Sequence, residues 1–335
     1  MTRLRNLSHR LTVSAVALMA VPACGMLPHP SLDRYATLYL NPSLDPAEVH
    51  VRFFGVTTLE IDDGSTAIMI DGFFSRPGLM RTSFGQVAPN CDQITAGLKR
   101  RGDSTLAAVL VAHSHYDHAL DAPAVVDRTT GTRLVGSHST RNIGLGFGLA
   151  EERIDTVKAG DVRTFGSFTI QVFASPHSPG GLYHGTIDDP LHPPARVGAY
   201  KMGETFSFLL RHEKGTILIW PSANFAPGLL NGVTADVVFL GVGLLGKQSD
   251  EFVRSYWRAV VTATGAKLVI PIHWDNMWRP LDKDLQPMPY LADDFGNTMN
   301  LLLELAHTDK VAVRLMPLFA PVDVFAPILL DVKAD

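Results

Sequence analysis

Six consecutive residues, His113-Ser114-His115-Tyr116-Asp117-His118, carry three imidazoles and one carboxylate. Packed this tightly they are poor for stability unless something pairs them, and neutral imidazole nitrogen with carboxylate oxygen is a donor set that zinc accepts. Ligands grouped on one loop can hold two ions, with alternating side chains directed to each. Two further histidines stand in similar places: His177 in Ser175-Pro176-His177-Ser178, and His273 in Pro271-Ile272-His273-Trp274. Taken singly, a histidine at a strand end is commonly a capping or core residue. Taken with the hexapeptide, the two extend a metal-ligand pattern.

These residues need elements that end beside one another. The hexapeptide follows the uninterrupted apolar run Ala107–Ala112, His177 follows Phe168–Ala174, and His273 follows Leu268–Ile272, all of which read as buried strands. Further strands are expected at Val51–Ile61, Ala67–Asp71, Phe206–Arg211, Thr216–Trp220, Val237–Val242 and Val311–Leu315. Helices are expected at Cys91–Arg101, Thr140–Ala150, Asp250–Thr264 and Asp294–His307, the last with a long leucine-rich face. Strands and helices interleave without a clear linker or an evident repeat, which argues for a single α/β (α+β) domain over residues 47–335. The stretch Ser178–Gly203, rich in Gly, Pro and His, is long for a connection and reads as functional or disordered.

The 335 residues are 46% hydrophobic and 19% charged, which excludes a disordered or low-complexity chain. A net charge of −4 gives no basic surplus for nucleic acid. Two cysteines, Cys24 and Cys91, are too few for a disulfide scaffold or a zinc ribbon. Gly241-Val242-Gly243-Leu244-Leu245-Gly246 has dinucleotide-fingerprint spacing, but the next strand ends in His273 rather than an acidic residue, so these glycines read as a tight turn. Gly144, Gly146 and Gly148 carry no usable signal. No Gly-x-Ser-x-Gly elbow is present, which opposes a serine hydrolase.

The HxHxDH run at 113–118, with His177, His273 and Asp71 at the end of Ala67–Asp71, resembles the metallo-β-lactamase superfamily over about residues 48 to 320. The opening Arg52-Phe53-Phe54-Gly55-Val56-Thr57-Thr58-Leu59 looks like the branch containing L-ascorbate-6-phosphate lactonase and N-acyl-phosphatidylethanolamine-hydrolysing phospholipase D. The resemblance implies a four-layer αβ/βα sandwich with metals at one edge of the sheets. It implies a first zinc on His113, His115 and His177, a second on Asp117, His118 and His273, and Asp71 orienting the hexapeptide loop by hydrogen bonds. It also exposes a departure. Where the family usually has Gly-Asp-Thr with a bridging Asp, this chain reads Pro221-Ser222-Ala223-Asn224-Phe225, and Asn224 is the best match. An amide coordinates weakly and brings no charge to bridge two cations, so one to two zinc ions are expected, the second weakly held; another divalent metal also suits the donors.

The N-terminus reads as an address. Arg3, Arg5 and Arg10 precede an uncharged stretch, Leu11–Ala23, too short to span a bilayer comfortably, so residues 1–23 are expected to be a signal peptide. Val21-Pro22-Ala23-Cys24 resembles a lipoprotein box in which Cys24 is lipidated, although Val21 and Ala23 also suit ordinary cleavage. Residues 24–46 read as a tether. The expectation is an exported, zinc-dependent hydrolase in the periplasm or cell envelope, anchored to the membrane through Cys24. A metal-activated water would attack an ester, phosphodiester or lactone, with Asp117 accepting a proton. The rival class is a catalytically degenerate metal-binding surface lipoprotein. A small-molecule or lipid-like substrate is expected, with Tyr183, His184, Trp274, Met277 and Trp278 as candidates for an apolar-aromatic pocket.

Overall fold

The computed structural model describes residues 27–45 and 48–331; the signal segment and Cys24 lie outside them. Fourteen strands form two seven-stranded sheets. The first takes β1 (His50–Phe53), β2 (Leu59–Asp62), β3 (Thr66–Ile70), β4 (Thr105–Leu110), β5 (Arg133–Gly136) and β6 (Ile154–Thr156) in sequence order, with β14 (Val322–Asp323) outside β1. The second runs in unbroken order through β7 (Val162–Phe165), β8 (Phe168–Ala174), β9 (Phe206–His212), β10 (Gly215–Trp220), β11 (Val237–Gly241), β12 (Leu268–Ile272) and β13 (Ala312–Val313). Three antiparallel ladders are followed by three parallel ones in each sheet. The pairing pattern therefore repeats, although no repeat is visible in the residues.

Continuous apolar runs are explained by cover on both faces. On β4 and just beyond it, Ala108, Leu110 and Ala112 join the large core with β8 to β12, while Val109 and Val111 pack with the helices on the other side. Ile68 and Ile70 alternate in the same way with Ala67 and Met69 on β3. A register shift between Ala67 and Ile68 leaves Ala107 as an extra residue on β4, a β-bulge beneath the hexapeptide loop.

Short helices precede or follow the parallel strands: α1 (Leu79–Phe84), α2 (Cys91–Leu98), α3 (Tyr116–Ala119), α4 (Ala122–Arg128) and α5 (His138–Phe147) in the first half. In the second half, α6 (Asp250–Val260) and α7 (Phe295–Asp309) bring Tyr256, Trp257, Met299 and Leu302 into the large core, and α8 (Ala326–Asp331) ends the described chain. Ser249 and Asp294 cap α6 and α7 by accepting backbone N–H groups.

The segment expected to be a tether is tied to this body in its described part. Tyr35 is buried edge-on against Phe295, the Leu40 N–H donates to the Leu315 carbonyl, and the Pro28 carbonyl accepts from Tyr290 N–H at 3.0 Å. Two aromatic and aliphatic anchors inside a Pro-rich stretch fix it to the surface.

Candidate metal centre

Parallel strands direct their C-terminal ends to one edge, and the loops beyond those ends carry the chemistry. Asp71 follows β3 with φ 58°. Its Oδ1 accepts the Ala112 N–H at 2.8 Å, while Oδ2 accepts from His118 Nδ1 at 2.8 Å and from the Thr57 hydroxyl. A carboxylate only accepts, so the His118 proton is on Nδ1 and Nε2 is free to serve as a donor. Asp71 thereby fixes the start of the hexapeptide loop and the ring of its last histidine.

The structure brings the six expected side chains into two groups, His113–His115–His177 and Asp117–His118–His273, with ligand atoms inside each group within 4.8 Å of one another. In the first, His113 Nε2 faces His115 Nδ1 at 3.1 Å, and both rings lie edge-on to His177. In the second, His118 Nε2 and His273 Nε2 are 3.2 Å apart, and they stand 3.6 and 3.3 Å from Asp117 Oδ2. Four ligands in tetrahedral array at zinc distances stand roughly 3.3 Å from one another. Neutral imidazoles converging in this way cannot all donate to one another, so the donor set fits a divalent cation.

Protonation follows from the surroundings. Burial pushes the pKa of His113 well below the usual value, and the neighbouring imidazoles add to this. His115 is lowered by burial, and His177 is lowered to about 4 by burial and His115. Burial also opposes charge on His118, but Asp71 and Asp117 together outweigh it and raise its pKa. Burial opposes charge on Asp117 as well, yet His118 and His273 hold its carboxyl below the usual range.

A brace invisible to motif reading holds the second group. The Arg76 guanidinium and Asp275 carboxylate are fully buried and meet at 2.6 Å. Asp275 Oδ1 accepts the Val56 N–H, the Val56 carbonyl accepts the His273 N–H, and Arg76 donates to the carbonyls of Phe54 and Asn276. The loop carrying Thr57 is thus locked to the loop carrying His273. Val56, Asp71, Arg76, Tyr183, Leu244 and His273 all have positive φ, six of the eight such non-glycine residues described. Strain of this kind persists where surrounding contacts over-determine the backbone, and here it gathers around the site.

Asn224 does not reach the metal groups. Its Nδ2 donates to the His177 carbonyl at 2.7 Å and its Oδ1 accepts the Phe225 N–H at 2.8 Å, so the amide shapes a turn that supports His177. Ser222, two residues beyond β10, instead lines the same cavity as His115, Asp117, His177 and His273. The strand ends at Trp220 as the sequence implies, but beyond it Ser222 lines the cavity while the Asn224 amide is taken up by backbone groups. The glycines after β11 serve close packing, since a Cβ on Gly243 would meet His273 Nδ1 at 2.8 Å. Gly146, without a sequence signal, lets the Leu191 backbone lie against α5, where a Cβ would come within 2.1 Å. That contact helps order the 178–203 stretch, whose Gly180–Tyr183 part lines the cavity.

The cavity measures about 440 Å³. Tyr183, Met277 and Trp278 line it as expected, together with Leu79, Leu244 and Met288. His184 is exposed and outside it, and Trp274 is a core residue stacked on Phe295 at 5.1 Å.

Comparison with known proteins agrees with this geometry. The profile of the β-lactamase superfamily domain matches residues 66–274. The chain belongs to the metallo-β-lactamase superfamily. Its fold is similar to that of Igni18, a metallo hydrolase from Ignicoccus hospitalis, at a TM-score of 0.53 and 14% identity over 82% of this chain and 97% of that one. It is also similar to CmlA, a diiron β-hydroxylase from Streptomyces venezuelae, at a TM-score of 0.52 and 14% identity over 85% and 55% of the two chains. An isothiocyanate hydrolase from Delia radicum gut bacteria aligns at a TM-score of 0.50 and 15% identity over 81% and 97%. A search of curated protein sequences returns no match. The expected superfamily, sandwich and single domain are thereby borne out.

Proposed function

We propose that this superfamily member is an exported metal-dependent hydrolase that uses zinc against an ester, phosphodiester or lactone with an apolar, uncharged remainder. The observation that carries the reading is that His113–His115–His177 and Asp117–His118–His273 adjoin through the His113 and His118 rings, 3.8 Å apart, with His115, Asp117, His177 and His273 lining one cavity. A zinc ion held there supplies Lewis acidity toward a substrate oxygen and lowers the pKa of water toward neutrality. Asp117, held ionised by His118 and His273, would be a carboxylate ligand of the second group, and in this reading it also accepts the proton of the attacking water. Asp71 keeps His118 in the required tautomer, and the Arg76–Asp275 pair keeps His273 in place. Among the described residues no lysine or arginine lines the cavity, so these walls offer no match for an anionic group remote from the metals.

The similar folds of a metallo hydrolase and an isothiocyanate hydrolase support hydrolysis, and the similar fold of a diiron β-hydroxylase makes iron the competing metal. A catalytically degenerate metal-binding protein is the second reading, favoured by the neutral Ser222 on the shared wall. Purified protein assayed with p-nitrophenyl esters, bis(p-nitrophenyl) phosphate and aliphatic lactones separates the two. The hydrolase reading expects turnover that a chelator abolishes and zinc restores; bound metal without turnover on every substrate supports the binder.

A further inference from the structure

Eight large apolar side chains are strongly exposed among the described residues, and six of them sit on just three segments. Met80 and Phe84 are on α1, Leu182 and Tyr183 follow His177, and Tyr290 and Leu291 follow Met288. Each segment also contributes cavity-lining residues: Leu79, Thr82 and Ser83; His177 to Tyr183; Met288 and Asp293. Leu182 and Tyr183 line the cavity themselves, and the other four lie within three residues of lining residues, which sets the exposed apolar groups around its mouth. Helix α1 buries none of its six residues, so core packing does not account for its Leu, Met and Phe. Leu291 is 88% exposed and Phe84 77%, unusual for side chains facing water alone.

Two observations indicate what covers this rim. Its segments carry exposed Arg81 and no exposed carboxylate, and exposed Lys247 adds a cation by donating to the Tyr290 carbonyl. Aromatic and aliphatic groups interspersed with basic residues suit a lipid surface with anionic headgroups. The described chain also begins beside this rim, where the Pro28 carbonyl accepts the Tyr290 N–H. Cys24 precedes Leu27 by three residues, a reach of at most roughly 11 Å. An acyl anchor there would hold this same edge against a bilayer.

We propose that the cavity mouth docks on a lipid bilayer through Met80, Phe84, Leu182, Tyr183, Tyr290 and Leu291, opening the cavity directly to membrane-resident amphiphiles. The inference rests on the export reading above and is independent of turnover. The test is co-sedimentation of Cys24→Ser protein without residues 1–23, which cannot be acylated at that position and carries no signal segment, with phosphatidylcholine–phosphatidylglycerol vesicles. Met80→Ser, Phe84→Ser and Leu291→Ser combined in that background should lower the partition coefficient at least about tenfold. Leu44→Ser with Val162→Ser, also strongly exposed but not on the rim segments, should change it less than about twofold. All these side chains are exposed, so folding should survive, and an unchanged melting temperature checks this. The proposal is overturned if the triple variant partitions like its parent, or if the control pair loses as much. It is also overturned if the triple variant splits a dimer while vesicle binding stays the same. Chelator-sensitive turnover alongside a failed sedimentation test would remove the membrane surface and leave the hydrolase standing.

Discussion

His118 is held from both sides: Nδ1–H donates to Asp71, and Nε2 faces Asp117 and His273. Its raised pKa means that a proton on Nε2 competes with metal at the second group from a higher pH. His113, His115 and His177 are lowered, so they remain neutral donors as the solution is acidified. Lowering the pH from about 7.5 to about 5.5 should therefore release the second metal first. Metal content measured after equilibration should fall toward one ion, not zero; simultaneous loss of both contradicts the assigned protonation. Ser222 is the second residue-scale determinant. Two dications roughly 3.5–4 Å apart repel strongly, and a neutral hydroxyl on the shared wall does little to offset this. Ser222→Asp should raise metal content toward two ions in mass spectrometry of the native protein, whereas Asn224→Asp should not. The reverse result would make Asn224, and not Ser222, the residue that faces both metals.

At the scale of elements, the brace between the 54–58 and 273–276 loops makes a stability prediction. Asp275→Ala leaves the Arg76 guanidinium buried without its partner, which should cost about 3–5 kcal/mol. Urea unfolding of metal-free protein measures this directly, and a loss below about 1 kcal/mol would show that Arg76 finds other support. The brace was not legible in the sequence, because Arg76 and Asp275 are about two hundred positions apart and neither lies in a motif. The hexapeptide and His273 are legible because each directly follows an apolar run, and His177 because it stands three residues past the alternating strand Phe168–Ala174. Those runs correspond to β4, β8 and β12 within two residues. The sequence of Val51–Ile61 reads as one strand, but Gly55 and Val56, both at positive φ, turn the chain between β1 and β2. The apolar run Phe53-Phe54-Gly55-Val56 disguises that turn, since Phe53 closes the ladder with Leu59 while Phe54 and Val56, beyond it, are still buried in the smaller core. Strands β5 to β7 and helices α1, α3 and α4 have too few residues for a period to show.

For the whole molecule, the arrangement is two sheets with the same succession of antiparallel and parallel ladders, and a site drawn from strand ends of both. The first sheet supplies Asp71 and the hexapeptide, and the second supplies His177, Ser222 and His273. Neither half holds a complete site, which is why pairing between distant residues, and not any single motif, decides the metal geometry. Metal analysis of the purified protein after zinc loading and dialysis tests this most directly, with His177→Ala as the comparison. Wild type should retain between one and two zinc ions per chain, and His177→Ala should lose most of the first while keeping its fold by circular dichroism. Wild type that retains no metal, or a His177→Ala protein that retains as much as wild type, would contradict the account.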